Sequence, residues 1–281
     1  MKNPSSPTIA VSNKVYSSVQ ELIDYCMAHN LSGIDYTLNP DSKNASDLQK
    51  ETANIEKIAK EGFEIRFHLQ FYSMEIADIN IKKAKRSFEF HKDCIEFISN
   101  FNGEYATIHI GLGMKSMDEL RYETALAHLS DLVECGREQK ITVCLENLTK
   151  GWTNNPHGFL EMIEESKAGV TFDIGHANAC PWVLNDQGTS VEFLRTISSH
   201  VLNAHVYEIE KVDEKTLEAY HVAPRKLDFI KPLLSELLCT KCDWWLIELK
   251  ISEEVNHTLY LLQSFLNETL KQNKSFKEQM H

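Results

Sequence analysis

Six imidazole or carboxylate side chains lie at or just beyond the ends of short apolar runs in this sequence. They are His68, His109, Glu146, Asp173, His205 and Glu248. A carboxylate that is buried without a partner costs several kcal/mol, and a cation is one common remedy. Imidazole together with carboxylate oxygen suits Zn, Mn, Fe or Co, whereas carboxylates alone favour Mg or Ca. A single strand histidine is usually a satisfied core residue, but six such positions together predict a site for a divalent metal, with Mn, Co, Zn, Fe and Mg all left open.

The apolar runs that carry these residues are eight in number, and each is rich in β-branched or aromatic residues. They cover residues 8–11, 33–36, 64–69, 105–110, 141–146, 169–174, 201–206 and 244–249. Helix-length stretches with apolar residues at i, i+3 and i+4 alternate with the runs. They cover residues 18–28, 47–60, 79–101, 117–135, 156–166, 191–198, 225–238 and 252–270. Eight strands alternating with eight helices predict a parallel sheet.

The chain length of 281 residues makes a single (β/α)8 TIM barrel the simplest closed form of that sheet. An open, doubly wound sheet is the competitor, but its dinucleotide-binding form has a glycine-rich first turn. The first run here leads into Ser12-Asn13-Lys14 instead. We therefore expect one TIM-barrel domain over residues 1–281, with a C-terminal tail that frays from about residue 273. In such a barrel the six residues above meet at the carboxyl ends of the strands.

The composition excludes several classes of function. There are 29 Lys and Arg residues against 41 Asp and Glu, which gives a net charge of −12. This charge argues against a nucleic-acid partner or an anionic membrane surface. The sequence has no run of about 18 apolar residues that could span a membrane, and residues 1–7 lack the apolar core of a secretory signal. Seven cysteines cannot all pair within the chain, so we expect reduced thiols and a cytoplasmic location.

Six short segments resemble those of the xylose isomerase-like TIM barrel superfamily, which includes sugar isomerases, sugar epimerases and the endonuclease IV type of abasic-site nuclease. The segments are Phe67-His68, Ile108-His109, Leu145-Glu146-Asn147, Phe172-Asp173-Ile174-Gly175-His176, Ala204-His205-Val206 and Ile247-Glu248. The Glu-Asn and Asp-x-Gly-His motifs, in this order, are fairly specific for the superfamily but not for a substrate. The resemblance covers nearly the whole chain, from about Thr8 to Leu270.

The resemblance implies a metal site and a mechanism. The superfamily's common metal ligands fall on Glu146, Asp173, His205 and Glu248. In the epimerase branch the metal holds the substrate carbonyl and the adjacent hydroxyl and stabilises an enediolate. One of Glu146 and Glu248 removes the proton on carbon and the other returns one. By this resemblance His176 hydrogen-bonds a sugar oxygen, and His221 does the same or acts as a ligand. The implied function is a metal-dependent isomerase or epimerase of a small sugar or related hydroxy-carbonyl compound, in carbohydrate metabolism.

Four aromatic residues follow the predicted strand ends or lie in rim loops. They are Phe71, Tyr72, Trp152 and Trp182. Their positions predict an apolar wall against which a sugar ring packs, although ordinary packing explains them equally well.

The nuclease branch is the alternative, because it resembles this chain too and uses a trinuclear zinc site. That ligand set includes His68, His109, His176 and His221 beside the four common ligands. The branch also has an aspartate two residues before the histidine at 221, where this chain has Ala219. One ligand is therefore missing unless Glu218 or Glu208 substitutes. A non-catalytic metal-binding barrel is a third interpretation, and a homo-oligomeric state is left open.

Overall fold

The computed structural model describes residues 6–38, 45–69, 74–112 and 116–279. Eight parallel strands form a closed barrel in the order β1-β10-β7-β6-β5-β4-β3-β2. The barrel strands are β1 Thr8–Ser12, β2 Gly33–Thr37, β3 Glu64–His68, β4 Tyr105–Ile108, β5 Thr142–Glu146, β6 Gly169–Asp173, β7 Val201–Val206 and β10 Trp244–Ile247. The predicted (β/α)8 barrel is therefore confirmed.

Closure of the barrel depends on the pairing of its first and last strands. Val11 of β1 is the register partner of Ile247 of β10, and β1 also pairs with β2 through Val11 and Ile34. Each sequential strand pairs in parallel with the next, apart from the inserted strands β8 and β9. All eight carboxyl ends consequently open at one mouth.

Helices surround the barrel, and five of them begin at a residue whose side chain caps the free backbone N–H groups of the first turn. They are α1 Val19–Ala28, α2 Ala45–Lys60, α3 Ile81–Ser99, α4 Tyr122–Glu138, α5 Pro156–Ser166, α6 Ile174–Ala179, α7 Pro181–Leu184, α8 Ser190–Ile197, α9 Lys231–Leu237 and α10 Ser252–Gln279. Ser18, Asn80 and Asn155 accept such hydrogen bonds, and Thr189 with Glu192 forms a capping box. The predicted helix from residue 117 differs in part, because Met117–Glu119 forms a separate 3₁₀ turn before α4. The predicted fraying from about residue 273 stays a prediction.

Side chains along each strand point alternately into the barrel and outward into the apolar core between strands and helices. Val143 and Leu145 of β5 belong to the apolar core between strands and helices, whereas Cys144 and Glu146 lie outside that cluster although they are equally buried. The period of two along a strand therefore directs Cys144 and Glu146 into the barrel. The same alternation places the polar residues of the other strands in the barrel interior.

The floor of the barrel is closed by a buried arginine. The Arg66 guanidinium lies 3.9 Å from the centre of the Tyr105 ring and 4.6 Å from that of Trp244, and it donates to the Asn203 side chain. Asn203 in turn donates to the Thr171 hydroxyl over 3.1 Å. Because these side chains fill the amino-terminal end, chemistry in the barrel is confined to the mouth at the carboxyl ends.

Strand β7 is followed by a hairpin, which the hydrophobic pattern does not predict. Strands β8 Ile209–Val212 and β9 Ala219–Val222 pair antiparallel, with Glu210 opposite His221. The hairpin contacts α6, so it lies over one side of the mouth. No helix among the described residues is long and apolar enough to cross a membrane.

Candidate metal centre

Four side chains at the mouth bring their ligand atoms within 4.8 Å of one another. They are Glu146, Asp173, His205 and Glu248, and we call them the four-donor cluster. Glu146 and Asp173 end β5 and β6, His205 is the next-to-last residue of β7, and Glu248 directly follows β10. Asp173 and His205 are also register partners on neighbouring strands. Residues more than 100 positions apart in the sequence therefore meet because the sheet closes.

The geometry of this cluster is centred on the imidazole of His205. Its Nδ1 atom lies 3.0 Å from Glu248 Oε2, 3.3 Å from Glu146 Oε2 and 3.6 Å from Asp173 Oδ2. All four of these atoms are buried, and none has a hydrogen bond to any described residue. Buried polar atoms without hydrogen bonds are rare. A divalent cation bound by one nitrogen and three carboxylate oxygens would satisfy all of them at once, so these residues fit a metal ion.

The charges within the four-donor cluster also favour a bound cation. Burial alone would raise the pKa of Glu146, but the imidazoles of His205 and His109 hold it well below its usual range. Burial would likewise lower the pKa of His205, but the carboxylates of Glu146 and Glu248 hold it well above its usual range. The cluster therefore needs a positive charge at its centre, either the second ring proton of His205 or a metal ion that displaces it.

Two more histidines adjoin Glu146 from β3 and β4. His109 Nε2 lies 3.1 Å from Glu146 Oε2, His68 Nε2 lies 3.8 Å from the same oxygen, and the two Nε2 atoms are 3.3 Å apart. Burial, followed by the neighbouring His109, lowers the pKa of His68 to about 3, which leaves His68 neutral. On its other side, His68 Nδ1 faces Asp35 Oδ1 at 4.0 Å. The neutral imidazole of His68, next to the Glu146 carboxylate, can add a ligand to a second ion at Glu146.

Asn147 explains why asparagine follows glutamate in the Glu-Asn motif. Its side chain is fully buried, accepts from the Asp173 backbone N–H over 2.8 Å and donates to the Asp173 carbonyl over 2.9 Å. The Asn147 carbonyl in turn accepts from His176 Nδ1 over 2.9 Å. Asp173 also caps helix α6, accepting from the backbone N–H of His176 over 2.6 Å. Asn147 therefore positions both Asp173 and His176.

A second cluster consists of His176, Glu210 and His221, whose ligand atoms also lie within 4.8 Å of one another. Glu210 Oε2 is 3.2 Å from His176 Nε2 and 3.9 Å from His221 Nε2. Each imidazole donates its Nδ1 proton to a backbone carbonyl, His176 to that of Asn147 and His221 to that of Glu248 over 2.7 Å. Burial would lower the pKa of His176, but the carboxylates of Asp173, Glu146 and Glu210 hold it well above its usual range, so a metal ion at Nε2 would displace a ring proton. The support of each Nδ1 by a backbone carbonyl is typical of metal-bound histidines.

Glu210 lies beside His176 and His221, where the sequence left a possible ligand open at Ala219. The expected substitutes were Glu218 and Glu208, but the structure brings neither of these carboxylates into the cluster. Glu210 reaches it because residue 210 stands directly opposite His221 in the hairpin. The Thr149 hydroxyl donates to Glu210 Oε1 over 3.1 Å, which leaves Oε2 for the two histidines.

Tyr207 packs between the two clusters. Its ring stacks on His221, with centroids 3.9 Å apart and an interplanar angle of 9°, and meets His176 edge-on at 6.2 Å. A Cβ atom at position 175 would lie 1.9 Å from Tyr207 Cε2. The glycine of the Asp-x-Gly-His motif is therefore required for close packing of this ring.

The four aromatic residues predicted as a substrate wall divide into two groups. Trp152 lies edge-on to Tyr122 with ring centroids 5.3 Å apart, and Trp182 lies edge-on to His157 at 5.7 Å. Both rings are partly buried and pack against the outer core. Phe71 and Tyr72 lie outside the described residues. A role for these rings in binding a sugar stays a prediction.

Asp35, Glu210 and Tyr207 were not singled out from the sequence. Asp35 had the same signal as Glu146, a carboxylate inside an apolar run, and burial raises its pKa to about 7. The positions of Glu210 and Tyr207 depend on the hairpin and on Gly175, so no local sequence pattern could have marked them.

Comparison with known proteins identifies relatives over most of the chain. Residues 23–224 match the family model described as xylose isomerase-like TIM barrel. The uncharacterized protein MJ0008 of Methanocaldococcus jannaschii is 35% identical over 211 residues, which cover 75% of this chain and 84% of that protein.

Two solved structures share the fold at low sequence identity. A D-tagatose 3-epimerase-like protein matches with a TM-score of 0.72 and 21% identity, over 94% of this chain and 99% of that one. Endonuclease IV from Thermus thermophilus matches with a TM-score of 0.65 and 15% identity, over 93% of this chain and 100% of that one. Both branches named by the sequence motifs thus occur among the structural neighbours.

Proposed function

Because the chain belongs to the xylose isomerase-like TIM barrel family, we propose that it is a metal-dependent isomerase or epimerase of a small sugar or a related hydroxy-carbonyl compound. The observation that carries this proposal is the four-donor cluster, in which one oxygen from each of three carboxylates and the Nδ1 atom of one imidazole converge, all four atoms being without a hydrogen bond to a described residue. The fold of the D-tagatose 3-epimerase-like protein supports it as well.

The four-donor cluster would hold the metal, with Glu146, Asp173, His205 and Glu248 as ligands. A divalent cation there would supply Lewis-acid stabilisation for negative charge that develops on the substrate carbonyl oxygen. Its identity among Mn, Co, Zn, Fe and Mg is open, and the mixed nitrogen and oxygen donors favour a transition metal.

Glu146 and Glu248 are the acid/base pair of the proposed reaction. They come from β5 and β10, so they reach the cluster from different sides of the barrel. Glu146 is 1% exposed, whereas the Glu248 side chain is 25% exposed toward the mouth. The imidazole of His205, against the opposing effect of burial, holds the pKa of Glu248 well below its usual range. The carboxylate is thus present as a base, and one glutamate removes the carbon-bound proton while the other returns one.

The space beside the mouth suits a small molecule. A cavity of about 720 Å³ adjoins the second cluster at His221 and extends to Arg225, Lys250 and His257. In this proposal His176 hydrogen-bonds a substrate oxygen, since its Nε2 atom faces the second cluster rather than the protein core. A small-molecule partner and a cytoplasmic location belong to the same proposal, and the seven cysteines, none of which forms a disulfide, support the latter.

A panel of ketoses and aldoses, assayed with Mn²⁺, Co²⁺, Zn²⁺ and Mg²⁺, tests the proposal. We expect turnover of at least one sugar with a transition metal and loss of it in Glu248→Gln, which should keep the fold. Glu268→Gln, an exposed carboxylate on α10 outside the cavity lining, is the matched control. Unchanged turnover in Glu248→Gln would contradict the acid/base role, and a metal-loaded protein that converts no sugar would favour a non-catalytic barrel.

A zinc phosphodiesterase of the endonuclease IV type is the second candidate. The observations in its favour are the second cluster with Glu210 and the pair of histidines beside Glu146. The net charge of −12 counts against duplex DNA as the substrate. Three tightly bound zinc ions per chain together with cleavage of abasic-site DNA would establish this function instead of the first. Fewer than three ions and no cleavage would exclude it.

A further inference from the structure

Tyr207 is a fully buried phenol at the centre of the candidate site. It directly follows β7, two residues after His205, and is 0% exposed. The stacked His221, the edge of His176 and the Cα of Gly175 fix its ring on three sides. A ring held in this way has one orientation, so the position of its hydroxyl oxygen is fixed.

The hydroxyl of Tyr207 makes no hydrogen bond to any described residue. Buried tyrosine hydroxyls usually find a partner, because an unpaired one costs free energy. The charged groups that face it are Asp173 and Glu248 of the four-donor cluster and Glu210 of the second cluster. Burial, followed by the Asp173 carboxylate, raises the pKa of Tyr207 well above its usual range, so Asp173 is a competing acceptor for this hydroxyl, although neither Asp173 Oδ2 nor the hydroxyl has a hydrogen bond of ordinary geometry.

We propose that the Tyr207 hydroxyl donates a hydrogen bond to an oxygen of the ligand that binds between the four-donor cluster and the second cluster. This inference rests on the proposed metal-dependent function, and it adds a binding group that the sequence motifs do not contain. A phenol is a suitable donor here because the carboxylates around it can only accept when they are ionised. The substrate oxygen that carries developing negative charge is the acceptor that fits this position.

A purely structural role for Tyr207 predicts a different outcome. If the ring served only to support His221, phenylalanine would replace it without effect on ligand binding. If the hydroxyl only positioned Asp173 as a metal ligand, removal of the hydroxyl would weaken metal binding. The two alternatives are therefore separable by measuring metal content and ligand affinity on the same variant.

The test compares Tyr207→Phe with wild type and with Tyr16→Phe, each loaded with Co²⁺. Tyr16 is a partly buried tyrosine that packs on Tyr25 of α1 and belongs to neither cluster, so Tyr16→Phe controls for the loss of a tyrosine hydroxyl elsewhere in the fold. The probe is glycolohydroxamate, which presents two adjacent oxygens as an enediolate does, and binding is followed by the visible absorption of Co²⁺. We expect Tyr207→Phe to bind the probe about 10- to 100-fold more weakly, with unchanged Co²⁺ stoichiometry and melting temperature, while Tyr16→Phe matches wild type.

Equal probe affinity in Tyr207→Phe and wild type would overturn the inference. Loss of Co²⁺ from Tyr207→Phe would also overturn it in favour of the structural role, and so would a wild-type protein that does not bind the probe. Because binding is measured without turnover, a protein that shows the Tyr207 effect but converts no sugar would refute the proposed function and support this inference.

Discussion

Glu210 and His221 stand directly opposite each other in the β8–β9 hairpin, and their side chains meet with Glu210 Oε2 3.9 Å from His221 Nε2. Opposed residues of an antiparallel pair project from the same face. This face is directed toward His176 on α6. The hairpin therefore places the Glu210 carboxylate and the His221 imidazole beside the His176 imidazole. The second cluster therefore exists only when the hairpin is paired in this register.

Replacement of Glu210 tests whether the second cluster binds an ion. We expect Glu210→Ala to lose one metal equivalent per chain, because two imidazoles alone are a poor site for a divalent ion. The four-donor cluster should stay loaded. Metal content after dialysis, measured by mass spectrometry, checks this. Glu218→Ala, an exposed carboxylate next to the same hairpin, is the control. Equal metal content in both variants would show that the cluster holds no ion.

Removal of metal should destabilise the fold. Three buried carboxylates share one site, and a cation that binds only the folded state adds about 2.7 kcal/mol of stability when its free concentration is 100 times the Kd. For a chain of this size we expect the melting temperature to fall by roughly 5–10 °C with a chelator and to recover when metal returns. Glu146→Gln should show a much smaller response, because Glu146 contacts both His205 and His109. A chelator that leaves the wild-type melting temperature unchanged would argue against a bound ion.

Alanine at position 175 should be poorly tolerated. Its Cβ atom would lie 1.9 Å from Tyr207 Cε2, and the ring cannot move without displacing His221. We expect Gly175→Ala to lose at least about 2 kcal/mol of unfolding free energy, measured with urea. Gly158→Ala is the control, since its Cβ atom meets nothing closer than 3.4 Å. Further substitution of Tyr207 by alanine should recover part of the stability lost in Gly175→Ala. If Gly175→Ala is as stable as Gly158→Ala, the packing argument is wrong.

Asparagine at position 147 should not be replaceable by aspartate. The carboxylate can still accept from the Asp173 backbone N–H, but it cannot donate to the Asp173 carbonyl, and it adds a charge beside the four-donor cluster. We expect Asn147→Asp to cost on the order of 2–4 kcal/mol in unfolding free energy and to alter metal affinity. Calorimetry and metal titration measure the two effects. Asn185→Asp, on an exposed loop, should behave as wild type.

Glu75 should make stability depend on pH. It is 8% exposed and accepts from the backbone N–H groups of Ala77 over 2.8 Å and Gly111 over 2.6 Å, yet burial raises its pKa from 4.5 to about 7. The folded state thus binds the Glu75 proton more tightly than the unfolded state. The stability contributed by this proton is fully present below about pH 4.5 and is lost as the pH rises through about 7.

Urea unfolding at several pH values measures this dependence. Relative to Glu75→Gln, the wild type should lose on the order of 2 kcal/mol between pH 4.5 and 7. The unfolding free energy of the control variant Glu104→Gln, in which an exposed carboxyl is replaced, should depend on pH as that of the wild type does. If the difference between wild type and Glu75→Gln is constant over this range, Glu75 does not titrate as described.

The order of elements and the inward positions could be read from the sequence because both are local properties. Each barrel strand is an apolar run, and six of the eight runs have an ionisable residue at or just beyond their end. Asp35 could have been included on the same grounds. The Glu-Asn and Asp-x-Gly-His motifs marked the right segments, although the reasons for Asn147 and Gly175 appear only in their contacts with Asp173 and Tyr207.

The hairpin after β7 could not be anticipated in the same way. Its two strands have four residues each and are partly exposed, so they lack the apolar alternation that marks a buried strand. The sequence pattern pointed to Glu208 and Glu218 as substitutes for the missing ligand, and the register of the hairpin selects Glu210 instead.

Taken alone, the sequence determined that the chain is a (β/α)8 barrel and which carboxylates and imidazoles end its strands, because strand periodicity and turn chemistry act over a few residues. Only the tertiary structure decided that Glu146 and Glu248 approach the same imidazole, that Glu210 joins His176 and His221, and that the Tyr207 ring stacks on His221. These contacts depend on closure of the sheet and on the register of a hairpin. Both are set by packing between residues that are far apart in the chain. Such packing cannot be predicted from a local sequence pattern.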